Sequence, residues 1–285
     1  MCSTDNVHAT PSGEVAKSGD GCHPVILTIA GSDPCCGAGL QADVRVACAL
    51  GCYATCVVTA ITSQNTNGVY GVWPLSAFQV AEQGRVLTDD IVPLAIKVGM
   101  LGNEEVAVEV EKIIDAVKCD NVVVDTILKS TSGESLFDWS GGGVFERILR
   151  KARVITPNLP EAEALLAADG VWKGADTDDM AGLLSRRFGG VSVYLKGGHG
   201  GGETLTDLFY NGESQTLTRL VGQRVDTRNT HGTGCCLSTS LASFLAKGFP
   251  LDEAAHRAHD FTHRALVSGS GFRLGSGHGP TFGVL

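Results

Sequence analysis

The chain has 285 residues, 43% hydrophobic and only 6% aromatic, with 37 glycines and a formal net charge of -9. A chain of this length buries a large core and suits one big α/β domain better than two. The acidic balance leaves no general basic surface, which argues against duplex nucleic acid and acidic membranes as partners, and no stretch approaches the roughly 18 apolar residues of a membrane span.

Residues 1–23 are polar and lack the apolar core of a secretion signal, so they read as a disordered tail before a domain spanning 24–285. From Pro24 onward, strand and helix patterns alternate. VILTIAG (25–31) is a buried strand, SDPCCGAG a Gly/Pro loop, and LQADVRVACALG helical. CVVTAIT (56–62) is a strand, SQNTNGVYG (63–71) a turn-rich loop, and 76–88 helical. AIKVGML (95–101) is a strand, and an amphipathic helix over 103–118 has Asn103 as its cap. NVVVDTIL (121–128) and VITP (154–157) are strands, the second followed by the helix LPEAEALLA. VSVYLKGG (191–198) is a strand, and 204–220 reads as a hairpin around Asn211-Gly212. Two helices close the chain, one after Gly234 ending near Gly248 and one over 251–269. This alternation implies a mostly parallel sheet covered on both faces, with ligands bound beyond the C-terminal ends of its strands.

The ten cysteines show no disulfide framework and no CxxC pair, which points to a reducing, cytoplasmic setting. Cys48, Cys52 and Cys56 read as small buried hydrophobes rather than metal ligands. His256, His259 and His263 share a helical face, read as solvated.

The densest signal is DTRNTHGTGCCLS (226–238). Gly232-Thr233-Gly234 has almost no side chain to pack and stands where a helix begins. Glycines allow close backbone approach, and a helix start offers unpaired N–H groups, so the pattern suits an anion, most often phosphate. No GxxxxGK[ST] motif occurs, so this is not a Walker-type loop. Asn158 and Glu161 stand three apart across a helix start, where they fit either hydrated Mg2+ near phosphates or a plain helix cap. Asp125 ends a buried strand, where an unpaired carboxylate is costly, and Lys196 ends another before two glycines. Such parts suit phosphoryl transfer, which needs positioned donors and cations more than covalent help.

AGSDPCCGAGLQAD, TSQNTNGV, KVGML, VITPNLPEAEALL, KGGH and DTRNTHGTGCCLS, in this order, resemble the hydroxymethylpyrimidine/phosphomethylpyrimidine kinases of thiamine biosynthesis. SGHGP (276–280) fits the same family's C-terminal signature, so the resemblance runs from about Val25 to Pro280. It implies a ribokinase-like fold: one mostly parallel central sheet with helices on both faces, a Rossmann-like three-layer arrangement. It also implies ATP and Mg2+, two successive phosphorylations of 4-amino-5-hydroxymethyl-2-methylpyrimidine in one site, and a homodimer. Carried over residue by residue, Gly31, Ala38, Asp43, Gln64, Met100 and Ile127 would line the pyrimidine pocket. Gly232, Thr233 and Gly234 would form the anion hole. Asp125, Asn158 and Glu161 would serve the metal and phosphate side, and Lys196 would neutralise phosphate charge. Cys235 matches the position of a catalytic base in ribokinase relatives, and a helix N-terminus could lower its thiol pKa enough for that role; orienting the substrate hydroxyl is the other reading.

Two departures bear on the substrate. The family usually reads DPVM where this chain has Asp125-Thr126-Ile127-Leu128, and PSGGAG where it has PCCGAG. Three rival readings follow. One is a pyridoxal kinase of the same lineage, another a non-catalytic pyrimidine-binding relative, and the third a thiol hydrolase using Cys235 and His231.

Overall fold

The computed structural model describes residues 23–128, 137, 139, 141–168, 176–197 and 203–281. The expected tail, most of the glycine-rich stretch 128–143, and Gly198 and His199 lie outside the described residues. In chain order the elements are β1 (Val25–Ser32), α1 (Gly39–Ala49), β2 (Tyr53–Asn65), β3 (Gly68–Pro74), α2 (Ala77–Thr88), β4 (Ala95–Val98), α3 (Glu104–Val117) and β5 (Val122–Val124). They continue with α4 (Gly143–Lys151), β6 (Val154–Ile155), α5 (Leu159–Ala167), α6 (Thr177–Arg187), β7 (Ser192–Leu195), β8 (Thr204–Asn211), β9 (Thr216–Gln223), α7 (Thr233–Ala246) and α8 (Leu251–Gly269).

The strands form one sheet in the order β3-β2-β1-β4-β5-β6-β7-β8-β9. From β2 to β7 neighbours run parallel; β3 at one edge and β8–β9 at the other are antiparallel. Alternation along the strands feeds two cores. Leu27, Ile29, Ile96, Val98, Val124, Ile155 and Val193 pack under α2–α6, whereas Ile26, Ala95, Val123, Val154 and Tyr194 pack under α1, α7 and α8. This is the expected three-layer arrangement, and its period-2 origin is the reason the central strands read as continuous apolar runs. Helix starts follow their capping residues: Asn103 accepts the N–H of Val106 at 2.9 Å, and Ser76 forms a capping box with Gln79.

Several expectations need correction. Residues 63–71 are not a loop: β2 and β3 form a hairpin turning at Thr66-Asn67, and alternately exposed polar side chains hid its strand character. The helices α4 and α6 went unread. Cys48 is exposed rather than buried, while Cys52 is buried and Cys56 half-buried. The histidine face of α8 is not solvated throughout: His263 bonds the carbonyl of Gln223, and His259 meets the buried Tyr194 hydroxyl at 3.1 Å and Asp207 at 3.3 Å. Asp207 bonding outweighs burial and holds the His259 pKa above its ordinary value.

A histidine whose pKa is raised on folding stabilises the fold fully below its unfolded pKa of about 6.5, and that stability fades as pH rises through the higher folded value. Urea unfolding of the wild type should therefore show a stability loss on going from about pH 6 to pH 8 that is smaller in His259→Gln; an identical slope in both proteins would contradict this assignment.

Candidate active site

The chain leaves β1 for β2 on one side and later for β4 on the other, so the crevice beyond the C-terminal ends of β1 and β4 is the sheet's topological switch point. The loops that follow these strands, and the start of α7, build the site there.

The first wall is the loop after β1. Asp33 is buried and accepts the backbone N–H of Cys35 at 2.8 Å, Gly37 at 3.1 Å and Ala38 at 2.8 Å. His231 Nε2 closes the set at 2.8 Å from the same carboxylate. Burial pushes this carboxyl up, but His231 and the backbone donors outweigh it and hold Asp33 below the usual carboxylate range. Cys36 adopts φ of 57°, a left-handed conformation strained for any side chain larger than glycine's, which is the local consequence of PCCGAG replacing PSGGAG. Of the residues expected to line a pocket, Gly31, Ala38, Gln64 and Met100 lie in or against this wall. Ala38 is the N-cap of α1, and the Met100 methyl lies 2.5 Å from where a Cβ on Gly31 would stand, so the Met100 side chain packs directly over Gly31. Gln64 is the penultimate residue of the long strand β2, with its carbonyl 3.5 Å from the Cys35 thiol. Ile127 is half-buried two residues beyond Asp125 at the end of β5.

The second wall is the start of α7. Gly232 is its N-cap at φ of 84°, and a Cβ there would stand 1.9 Å from the carbonyl oxygen of Gly37, so the two loops pack backbone to backbone. Thr233 bonds the carbonyl of Thr230, and the next turn exposes N–H groups toward a charged cluster. Asp125 Oδ2 and Lys196 Nζ lie 3.3 and 3.4 Å from the Cβ position of Gly234. Lys196 donates to Asp125 at 3.0 Å and stands 3.8 Å from Glu161. Burial works against the Lys196 charge, yet Asp125 and Glu161 raise its pKa above the ordinary value, so it remains an ammonium. Asp125 is driven up by burial but held low overall by Lys196 and Lys97. Glu161 keeps a raised pKa, because burial dominates.

Asn158 and Glu161 form a reciprocal capping box, Asn158 Oδ1 accepting from Glu161 at 2.8 Å and Glu161 Oε2 from Asn158 at 2.9 Å. The cap reading is correct, but the glutamate is not solvated: Thr126 donates to it at 3.1 Å. Thr126 is the residue that replaces the family's usual proline, and its hydroxyl now orients Glu161.

Burial changes the reading of two of the candidate site residues. Asp43 does not line the pocket; it has no exposed surface, and its oxygens are taken by Lys97 at 2.8 and 3.0 Å, Thr28 at 2.5 Å and Thr239 at 2.8 Å. Cys235 does not carry a lowered pKa. Burial pushes its thiol up to about 11, with Lys97 and the Gly39 N–H opposing, so it is protonated at neutral pH. No hydrogen bond joins Cys235 to His231 among the described residues, and His231 gives Nε2 to Asp33, which removes the nucleophile–base contact a thiol hydrolase needs.

A model of the phosphomethylpyrimidine kinase family matches residues 33–282. The chain belongs to that family. A hydroxymethylpyrimidine/phosphomethylpyrimidine kinase from Rhizobium meliloti is 40% identical over 261 residues, covering 90% of this chain and 95% of the relative. A phosphomethylpyrimidine kinase structure from Clostridium difficile matches with a TM-score of 0.71 at 31% identity, over 85% of this chain and 99% of that one. A pyridoxal kinase from Staphylococcus aureus, solved with AMP-PCP and pyridoxal, matches with a TM-score of 0.76 at 28% identity, over 91% and 93% of the two chains. The phosphomethylpyrimidine kinase fold is thus the ribokinase-like one, and this chain is an ATP-using phosphotransferase.

Lys97 and Thr239 are structural determinants of this site that its motifs do not name, whereas Asp33 follows a strand end and stands out in the sequence. Lys97 had a readable signal, a charge inside the buried strand Ala95–Val98 with apolar neighbours on both sides. Truncating it leaves Asp43 buried and unpaired, so Lys97→Met should cost about 3–5 kcal/mol in denaturant unfolding, and adding Asp43→Asn should recover most of that. Equal stabilities of single and double variants would refute the pairing energetics.

Proposed function

We propose that this kinase transfers the γ-phosphoryl group of ATP to the hydroxymethyl oxygen of 4-amino-5-hydroxymethyl-2-methylpyrimidine, and then a second one to the monophosphate, in thiamine biosynthesis. The observation that carries the reading is the convergence of Lys196 and Asp125 on the first turn of α7. There the N–H groups at Gly234 and Cys235 receive the transferring group's oxygens, and Lys196 offsets their charge.

Mg2+ supplies further charge neutralisation between phosphates. Among the described residues no three His, Cys, Asp or Glu side chains converge as a metal cage. None is needed, since Mg2+ on a nucleotide keeps several waters and takes one or two carboxylates besides phosphate. Asp125 and Glu161 are the fitting pair, buried, 3.0 and 3.8 Å from a shared lysine. The neutral thiol of Cys235 supports the orienting role: it holds the substrate hydroxyl in line, and a loose transition state asks for little proton removal before the new P–O bond forms. Gln64 and the Met100 side chain offer a hydrogen-bonding edge and an apolar face to an aminopyrimidine.

A pyridoxal kinase reading is favoured by one observation, the match to the Staphylococcus aureus enzyme solved with pyridoxal. The homodimer rests on exposed Ile61, Tyr70, Trp73 and Phe78 around the β3 edge, an apolar patch that a second copy would cover. Sedimentation of the wild type as a dimer and of Trp73→Asp as a monomer is the expected result; a monomeric wild type would end the idea.

ADP release with Mg-ATP should be stimulated by hydroxymethylpyrimidine and by its monophosphate, and less by pyridoxal. Lys196→Met should lower kcat by about 10²–10³-fold, the scale of losing one charge-stabilising group. The kcat profile should show no thiol ionisation between about pH 6 and 9, because Cys235 titrates near 11. Turnover of pyridoxal alone would keep the phosphate side and overturn the pocket assignment.

A further inference from the structure

The SGHGP segment near the C-terminus has no part in the chemistry above, yet it touches both halves of the site. On one side it grips the turn of the β2–β3 hairpin, two residues beyond Gln64. His278 donates its backbone N–H to the carbonyl of Thr66 at 2.7 Å, and Gly277 donates to the Thr66 hydroxyl at 3.1 Å. Ser276 and Asn67 bond side chain to side chain at 3.1 Å. The approach is so close that a Cβ on Gly277 would stand 1.9 Å from the Thr66 carbonyl oxygen.

On the other side the same segment is built into the anion-hole loop. His231 N–H donates to Gly279 at 3.1 Å, and Thr281 N–H donates back to His231 at 2.9 Å, a two-residue parallel bridge. Asn229 is buried and donates to the carbonyls of Gly269 at 2.6 Å and Phe272 at 2.7 Å, which pins the loop to the end of α8. The Thr281 side chain is 1% exposed, and its hydroxyl lies 2.6 Å from that of Thr233. Thr233 gives its own proton to Thr230, so Thr281 is the donor of this pair. His231 in turn reaches Asp33, the residue that folds the substrate-side loop.

We propose that Gly275–Thr281 is a positioning strap that couples the Gln64 hairpin to the anion hole, with Thr281 setting the place of Thr233 at the start of α7. The contacts form an unbroken chain from Thr66 through Gly277, Gly279 and His231 to Thr281 and Thr233, and its three backbone-to-backbone hydrogen bonds, through His278, His231 and Thr281, cannot shift one at a time. Seating a pyrimidine against Gln64 is then felt at the N–H groups that receive the phosphoryl group. The effect on turnover rests on the kinase reading above; the coupling itself does not.

Two variants test it by hydrogen exchange and by turnover with Mg-ATP and hydroxymethylpyrimidine. Gly277→Ala touches only the hairpin end of the strap, and Thr281→Val only the anion-hole end. Each should speed amide exchange at both 64–70 and 230–236. Thr281→Val should lower kcat about tenfold or more, as misplaced phosphate donors do, with KM for the pyrimidine changed less than about twofold, and Thr281→Ser should regain most of the loss. Exchange confined to the end each variant touches overturns the proposal, as does a Thr281→Ser variant as slow as Thr281→Val. A wild type inactive on the pyrimidine would instead overturn the substrate reading, while the exchange result still decides the coupling.

Discussion

The buried Lys97–Asp43 pair is the constraint around which this site is organised. Lys97 leaves β4 and Asp43 leaves α1, with neither exposing any side-chain surface. Thr28 from β1 and Thr239 from α7 take the remaining bonds of the carboxylate, so four elements meet at one charge pair. Asp43 opposes the burial that would otherwise strip Lys97 of its proton. Such a pair adds little to stability compared with apolar packing of the same volume, but breaking it on one side is costly, which makes it a device for holding register. Thr239 lies one helical turn past Cys235, so the pair sets the height and rotation of the α7 start. The contacts of the α7 start with Asp125 and Lys196 follow from that placement.

A second consequence is electrostatic. The first turn of α7 stands among Lys97, Lys196, Asp43, Asp125 and Glu161, all buried or nearly so. Two ammonium groups and three carboxyl groups leave no surplus of positive charge to draw a thiol proton off, and burial decides the matter for Cys235. Under the proposed function, phosphate oxygens would complete the coordination of Lys196 and of the N–H groups at the α7 start, and acid–base chemistry would be a minor part of the site's work.

The two walls of the site are joined by close backbone approaches as well as by the His231–Asp33 side-chain bond. Gly232 against Gly37 and Gly277 against Thr66 are both approaches that any Cβ would block. Small residues here serve contact, not flexibility: they let loops from opposite ends of the chain share hydrogen bonds. The departures from the family pattern fall within this framework. Thr126 replaces a proline and contributes a hydroxyl to Glu161, while Cys36 occupies a left-handed position at a local cost.

The sequence by itself determined the layered fold, because strand alternation and helical periodicity are local properties visible in short windows. It also singled out Gly232–Gly234, Asp125 and Lys196, which the fold brings together, since glycines before a helix and charges at strand ends are written in adjacent residues. The hairpin at 53–74 and the helix α6 escaped because exposed polar positions blur their periodicity, and α4, though clearly amphipathic, because it is only 9 residues long and opens on a run of glycines. Only the tertiary structure decided what Asp43 and Cys235 are. Asp43 becomes a buried structural anion through a lysine 54 residues away. The Cys235 thiol is raised by burial and by carboxylates from α1 and β5, which outweigh the helix start that local reading expected to lower it. Ionisation depends on charges and solvent brought together from distant parts of the chain, and no local pattern encodes their sum.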